Sequence, residues 1–337
     1  MLPSGCGPLD GSSLYVLLAI VVLLVSVLLN FLFGDPNPNE PSRIQFRLHP
    51  TVLIGTYIKK LESHFRNPSP RIEKLNGVLL ALAVILIFAL PVLVVLGVLF
   101  TFLSFWLYGL LAVLILKFTM TIKLETEWAK AVAKAIAKED LEEARKYAHF
   151  SRRESKDLTG PQIGSLVIES MSENLIDFKL SPMLAYSFLG VTGAVAFRAL
   201  NTLDGTVGFK DPEHINIGWF SAKLDTIVNF VPARIIAALI IVASFILGED
   251  YKNAWAIAKR DNKNTPSLNH GWPMAVMAGA LRIRLEKPGK YILGDPTELL
   301  TSDKVLRALR IRNLVIVLSV LLALPIVWVI RLFFFPF

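Results

Sequence analysis

The chain has 337 residues, 54% of them hydrophobic and only 18% charged, with a mean hydropathy of +0.55; a soluble domain carries charge on nearer a quarter of its residues, so an ordinary soluble globule is excluded. The single cysteine, Cys6, excludes an internal disulfide and a thiolate metal cage. The net charge of +8 reads as basic loops on the inner side of a membrane, with no nucleic-acid partner.

Apolar blocks set the expected elements. Leu14 to Phe33 carries no charge and no Lys or Arg precedes it, so it reads as a retained anchor helix with its N-terminus outside. Residues 34–76 are polar and Pro-rich, opening Gly34-Asp35-Pro36, with His49-Pro50 and a helical pattern from Val52 to Phe65. Arg43, Arg47, Lys59, Lys60, Arg66, Arg71 and Lys74 make this loop basic and hence cytoplasmic. Gly77 to Leu116 is uncharged and long enough for two spans, 77–97 and 99–116, with a turn near Gly97 to Ser104 and a kink at Pro91.

Residues 117–179 form a cytoplasmic helical insertion. Leu124 to Ala137 is amphipathic, with Lys130, Lys134 and Lys138 along one face. Asp140 reads as the N-cap of a helix through Phe150, and Thr159-Gly160-Pro161 starts another. Further spans are expected at 182–200, 231–247 and 314–330, the first two short and broken. Three basic loops, 34–76, 117–179 and 249–312, all belong inside. The expectation is an all-α polytopic integral membrane protein, about six membrane-embedded helices with cytoplasmic helical insertions, both termini outside. Residues 201–230 are then expected to dip into the membrane and help build a site that opens to the cytoplasm.

Chemistry concentrates in a few stretches. Glu169, Glu173 and Asp177 are spaced i, i+4, i+8 and fall within an arc of about 80° on a helix, opposite Ile163, Val167, Ile168, Met171 and Leu175. No Lys or Arg lies among their i±3 and i±4 neighbours, so like charges repel along the stripe. A bound Mg²⁺ would relieve that repulsion; the alternative is a solvated face. Asn201 and Asp204 share a face at the end of one apolar run, and Lys223, Asp225, Asn229 and Arg234 surround the start of the next. Ionisable groups at membrane depth are costly and mark function; snorkelling suits only the long side chains, Lys223 and Arg234. Asp261, Ser267 and Asn269 lie in a polar, turn-rich loop before Gly271-Trp272-Pro273. None of the five His residues shows zinc spacing, and no P-loop lysine pattern occurs.

In order, these stretches resemble the CobD/CbiB family, the adenosylcobinamide-phosphate synthases. The matching blocks are Gly34-Asp35-Pro36 with His49-Pro50 and Gly55; Glu169 through Asp177 with Pro182; Asn201-Thr202-Leu203-Asp204 with Gly208; Gly218-Trp219, Lys223-Leu224-Asp225, Asn229 and Pro232-Ala233-Arg234; then Asp261, Ser267, Asn269 and Gly271-Trp272-Pro273 with Ala278-Gly279-Ala280-Leu281. Departures are Lys223 where Arg is commoner, Arg153-Glu154-Ser155 for Arg-Asp-Thr, and a short stretch between Leu285 and Gly294. The resemblance implies an ATP- and Mg²⁺-dependent ligase joining adenosylcobyric acid, a corrinoid, to aminopropanol phosphate or a related amino alcohol. It implies metal or acid/base roles for Glu169, Glu173, Asp177, Asp204 and Asp225, the first three as metal ligands. Substrate-binding roles fall to Asp35, His49, Arg153, Asn174, Asn201, Lys223, Asn229, Arg234, Asp261, Ser267 and Asn269, in a protein surrounded by membrane lipid. A transporter with intramembrane carboxylates, and a non-catalytic membrane sensor, stand as alternatives.

Overall fold

The structure, a computed structural model, describes residues 11–147 and 157–333. It is almost wholly helical, and its one sheet is a two-stranded hairpin. Four helical segments are long and apolar enough to cross a membrane: Ser13–Leu32, Pro70–Leu103, Gly160–Val207 and Ser302–Phe333. A fifth is counted if Trp219–Val228 and Phe230–Ile246, bent at their junction, make one span. The all-α polytopic architecture stands, with fewer full-length spans than the six expected.

The chain divides into two compact units. The first comprises residues 1–121, 181–228 and 320–337. Helix α1 (Gly11–Leu32) exposes Leu17, Val21, Leu24 and Leu28, a lipid-facing row at i+3/i+4 spacing. Its buried face carries polar groups that bond across to α5 (Phe105–Lys117): Ser26 Oγ donates to Val113 O (3.0 Å) and Asn30 Nδ2 to Lys117 O (2.8 Å). In hydrocarbon such groups must find partners inside the protein. The short α2 (Ile44–Arg47) leads into α3 (Pro50–Phe65). Helix α4 (Pro70–Val98) runs unbroken through Pro91 and on into a π turn, Leu99–Leu103.

The break between α4 and α5 therefore falls at Ser104, at the end of the expected turn. Ser104 caps α5, its Oγ accepting from Leu107 N, whereas a side chain at Gly97 would meet only open space. The charge-free run is split unequally, and α5 keeps 13 residues, about 20 Å of helix against a core of roughly 30 Å. Helix α9 (Ser181–Val207) extends past the expected end at Leu200 and takes Asn201 and Asp204 into its body. It is broken at Gly190, whose φ of 71° and ψ of −164° suit glycine alone. Ile54 and Ile58 of α3, Leu80, Ala81 and Val84 of α4, and Ala199, Leu203 and Val207 of α9 form one core with Ile217. Gly77 permits this approach: a Cβ there would lie 2.2 Å from Ile217 O. Helix α10 (Trp219–Val228) completes the unit.

The second unit comprises residues 122–180 and 229–319. Helix α6 (Lys123–Ala137) exposes Lys130, Lys134 and Lys138 at its outer face and end, as the amphipathic pattern predicts. Asp140 caps α7 (Leu141–Tyr147), its Oδ1 accepting from Glu143 N (3.0 Å). The expected continuation to Phe150 lies outside the described residues. Helix α8 (Gly160–Leu175) starts with Pro161 in its first turn and Gln162 reaching back to Thr159 N (3.0 Å). A π turn, Ile176–Leu180, follows.

Helices α11 (Phe230–Ile246) and α12 (Tyr251–Asp261) pack against α13 (Gly271–Leu281). Gly279 lets α13 close on α12, since a Cβ would sit 2.7 Å from Ala254 Cα. Strands β1 (Leu285–Lys287) and β2 (Tyr291–Leu293) pair antiparallel, Glu286 opposite Ile292, with Gly289 at positive φ in the turn. Helix α14 (Ser302–Phe333) begins in this unit and ends in the first.

Candidate functional site

In the second unit the residues singled out from sequence gather at the N-terminus of α13. The loop before it is shaped by Ser267, whose Oγ accepts from Asn269 N (3.3 Å) and His270 N (3.1 Å). Asn269 Oδ1 accepts from Arg234 Nη1 (2.7 Å), and the guanidinium lies 3.7 Å above the Phe230 ring and 5.5 Å from that of Trp272. His270 Nε2 is 3.4 Å from Asp177 Oδ2, and Asn229 Nδ2 is 3.4 Å from Asp177 Oδ1. One constellation thus joins Asp177, Asn229, Arg234, Ser267 and Asn269, and adds His270. It offers a carboxylate, an imidazole, a stacked guanidinium and the positive end of a helix. Such a set is chemically able to bind and orient an anionic group and to move a proton beside it.

The acidic stripe is not one site. Glu169 is fully buried, and its two oxygens are engaged separately: Ser165 Oγ donates to Oε1 (2.7 Å) and Tyr291 OH to Oε2 (2.5 Å). Glu173 and Asp177 are half-buried. The three carboxylates do not converge. Among the described residues, the one group of three His, Cys, Asp or Glu with ligand atoms within 4.8 Å of one another is Asp211, Glu213 and His214, in the first unit. Asp211 and Glu213 are exposed and His214 is half-buried; Asp211 is already paired with His214 (2.8 Å), and Glu213 lies 3.7 Å from Arg66, which also pairs with Glu62 and Glu73. Mg²⁺ needs only one or two carboxylates when phosphate oxygens and water complete its octahedron. Glu173 and Asp177, both half-buried, are the members of the stripe accessible enough to meet that requirement; Glu169, buried and doubly bonded, is not.

Asn174 faces a different neighbourhood. Its Nδ2 donates to Glu125 Oε1 (2.8 Å), while Lys179 Nζ (2.6 Å) and Arg312 Nη2 (2.5 Å) meet Glu125 Oε2. Arg312 also donates to Ile122 O and Thr126 Oγ1. All three ionised groups are out of solvent. Burial alone would push the Glu125 carboxyl up, but Lys179 and Arg312 outweigh it and hold it below the ordinary range. Asp261 fastens the hairpin: its carboxylate takes a bidentate contact from Arg260 and the Gly294 N–H (2.8 Å). Burial opposes its ionisation, and these donors win, so its pKa is lowered.

In the first unit two further groups form. Arg198, buried in α9, donates to Thr119 O through Nε (3.0 Å) and Nη2, and to Asn201 Oδ1 through Nη1 (2.9 Å). Asn201 Nδ2 is in turn 3.4 Å from Asp225 Oδ1. Asp204 sits half-buried one turn further along α9, beside Gly208, and Lys223 is exposed on α10. At the opposite end of the sequence, Lys117 Nζ bonds Asp35 Oδ1 (2.8 Å), with His49 Nε2 at 3.5 Å. Burial raises the Asp35 carboxyl, yet His49 and Lys117 bring it below its usual value. Arg153 lies outside the described residues.

Arg198, Tyr291, Ser165, Glu125, Lys179 and Arg312 were not singled out from the sequence. Each has at least one partner far along the chain, up to 190 positions for Arg312 and Ile122 O. Only the cost of a charge inside an apolar run would have pointed to any of them, Arg198 above all.

A family model described as CobD/Cbib protein matches residues 23–319. A curated relative from Methanothermobacter thermautotrophicus, named "Probable cobalamin biosynthesis protein CobD", is 35% identical over 312 residues, 92% of this chain and 99% of its own length. Relatives named "Cobalamin biosynthesis protein CobD" come from Leptospira interrogans, 32% identical over 311 residues (89% of this chain, 94% of the relative), and Dehalococcoides mccartyi, 30% over 284 (82% and 87%). No solved structure matches the chain.

Proposed function

Since the chain belongs to the CobD/CbiB family, we propose that it is the membrane synthase that joins adenosylcobyric acid to aminopropanol phosphate, or a related amino alcohol, giving adenosylcobinamide phosphate. The overall change is carboxylate plus amine plus ATP to amide plus ADP plus inorganic phosphate. The observation that carries this reading is the family match over residues 23–319, within which Asp177, Asn229, Arg234, Ser267 and Asn269 assemble around the α13 N-terminus. The site opens on the cytoplasmic side, where the basic loops lie.

When bound, ATP with Mg²⁺ would supply the activation of the corrinoid propionate, and Glu173 and Asp177 are the carboxylates that would hold the metal. Arg234, its guanidinium 3.7 Å over the Phe230 ring, binds a phosphate or carboxylate oxygen through the N–H groups not donated to Asn269 Oδ1, Phe230 O and Leu268 O. The amine must shed protons on becoming an amide. His270, whose Nε2 lies 3.4 Å from Asp177 Oδ2, is placed to accept one. Asn201 and Lys223 act in substrate binding, Asp204 and Asp225 in acid/base work, and Arg198 positions Asn201.

Incubating the full chain in detergent with adenosylcobyric acid, aminopropanol phosphate, ATP and Mg²⁺ tests the reading. Mass spectrometry is expected to show the amide, dependent on ATP. Absence of product with folded protein would overturn it. The broken helix at Gly190 is the one observation that favours a transporter instead, which predicts corrinoid flux into sealed vesicles without product.

A further inference from the structure

Glu125 on α6 is a buried junction. Its Oε1 accepts from Asn174 Nδ2 (2.8 Å), and its Oε2 from Lys179 Nζ (2.6 Å) and Arg312 Nη2. The Lys179 and Arg312 side chains are 0% exposed and that of Glu125 is 2% exposed. Arg312, on α14, also donates to Ile122 O (2.9 Å) and Thr126 Oγ1 (2.8 Å), which fixes it against the start of α6. Stability alone does not account for such a group. Desolvating three charges costs about as much as their attraction returns, and apolar side chains of similar volume do as well or better. The best-attested use of buried ionic groups is to select one register among several.

What this group registers follows from the chain. Asn174 lies in the last turn of α8, and Lys179 lies in the π turn Ile176–Leu180 that follows. In an α-helix, positions five apart point about 140° away from each other, so these two would face different neighbours. The π turn, with its i→i+5 pitch, brings both to one carboxylate. Between them in sequence stands Asp177, whose partners belong to other elements: His270 Nε2 is 3.4 Å from its Oδ2, and Asn229 Nδ2 is 3.4 Å from its Oδ1. Residues 174–179 are thus tied to α6 and α14 by their ends, and to the starts of α11 and α13 by their middle.

We infer that Glu125, with Lys179 and Arg312, is the positioning group that holds the π turn in register and so keeps Asp177 beside His270. Without the Glu125 tethers the turn relaxes toward α-helical pitch, and Asp177 rotates away from the imidazole. That Asp177 serves amide synthesis rests on the function proposed above; that Glu125 sets its place does not.

Lys179→Met is the informative change. It cuts one tether and leaves Glu125 and Arg312 as a matched pair, so the fold is kept, which circular dichroism checks. The first measurement reads proximity. Asp177→Cys and His270→Cys, introduced together with Cys6→Ser in the full chain in detergent, are joined by a short bis-methanethiosulfonate and followed by intact mass. The cross-link is expected to form, and Lys179→Met to slow it at least about tenfold. No cross-link in the parent, or an unchanged rate, overturns the inference. The second measurement is a double-mutant cycle on synthesis. Lys179→Met is expected to lower kcat about tenfold in the natural chain and less than about twofold in Asp177→Asn, because a group that acts only through Asp177 has nothing left to place. Equal losses in both backgrounds mark a purely structural role and overturn the inference. Asn174→Ala cuts the neutral tether to the same carboxylate, is expected to act in the same direction in both measurements, and stands in if Lys179→Met does not fold. If the chain makes no amide, the proposed function fails and the cross-linking rate alone decides the inference. If amide forms while the cross-link is indifferent to both variants, the positioning role alone fails.

Discussion

At the scale of single residues, buried charge decides which positions tolerate change. Glu125 offsets two cations, Lys179 and Arg312, that have no access to water. Removing one member of such a set leaves uncompensated charge, at about 3–5 kcal/mol. Glu125→Gln is therefore expected to lower the unfolding temperature sharply in detergent, and Asn174→Ala, which removes one neutral donor, much less. Because the folded carboxyl of Glu125 lies below its unfolded value, its contribution is present in full above the unfolded pKa. That contribution is lost as pH falls through the folded pKa. Unfolding temperatures measured down an acid series should show a decline that Glu125→Gln lacks. Asp177 belongs to the other kind of position, half-buried and beside His270 and Asn229. Asp177→Asn is expected to keep the fold and reduce amide formation by about 10²-fold or more, read as kcat with circular dichroism as the control.

At the scale of elements, two joints hold the site's surroundings in place. The β1–β2 hairpin docks on α8 through Tyr291 OH to Glu169 and Glu286 N to Ser165 Oγ (2.8 Å). Tyr291→Phe leaves a buried carboxylate oxygen short of a donor, a loss of about 1–3 kcal/mol. Hydrogen exchange should rise in residues 285–293 and stay unchanged in α1, and no local rise would refute the docking role. The second joint is Gly190, where α9 breaks with a backbone that a side chain opposes. Gly190→Ala is expected to cost roughly 1–3 kcal/mol, seen as a lower unfolding temperature, without altering any polar contact. The stretch from Leu285 to Gly294 is thus the segment that supplies Glu169 with a donor.

At the scale of the whole molecule, the placement of charge makes a topological prediction. The loops 34–76, 117–179 and 249–312 carry the basic residues and are expected on the cytoplasmic side. With Cys6 replaced, single cysteines at Asp211 or Asn216 should resist an impermeant maleimide added to intact cells and react once the cells are opened. Labelling from outside would place residues 201–230 on the far side. Periodicity and composition were sufficient for the class of fold, for α1, α3, α6 and α8, and for the caps at Asp140 and Thr159, because those features depend on neighbours within a turn or two of helix. The same local information picked out Asp177 on an acidic stripe, Asn229 and Arg234 at the start of an apolar run, and Ser267 and Asn269 in a turn-rich loop. It did not show that these five meet at one helix end, that Glu169 turns to Tyr291 instead of its stripe partners, or that Asn174 serves Glu125. Those outcomes hang on side chains brought together from 35 to 122 positions apart. Helical spacing along one segment carries no record of what will pack against its other side, so only tertiary structure decided them.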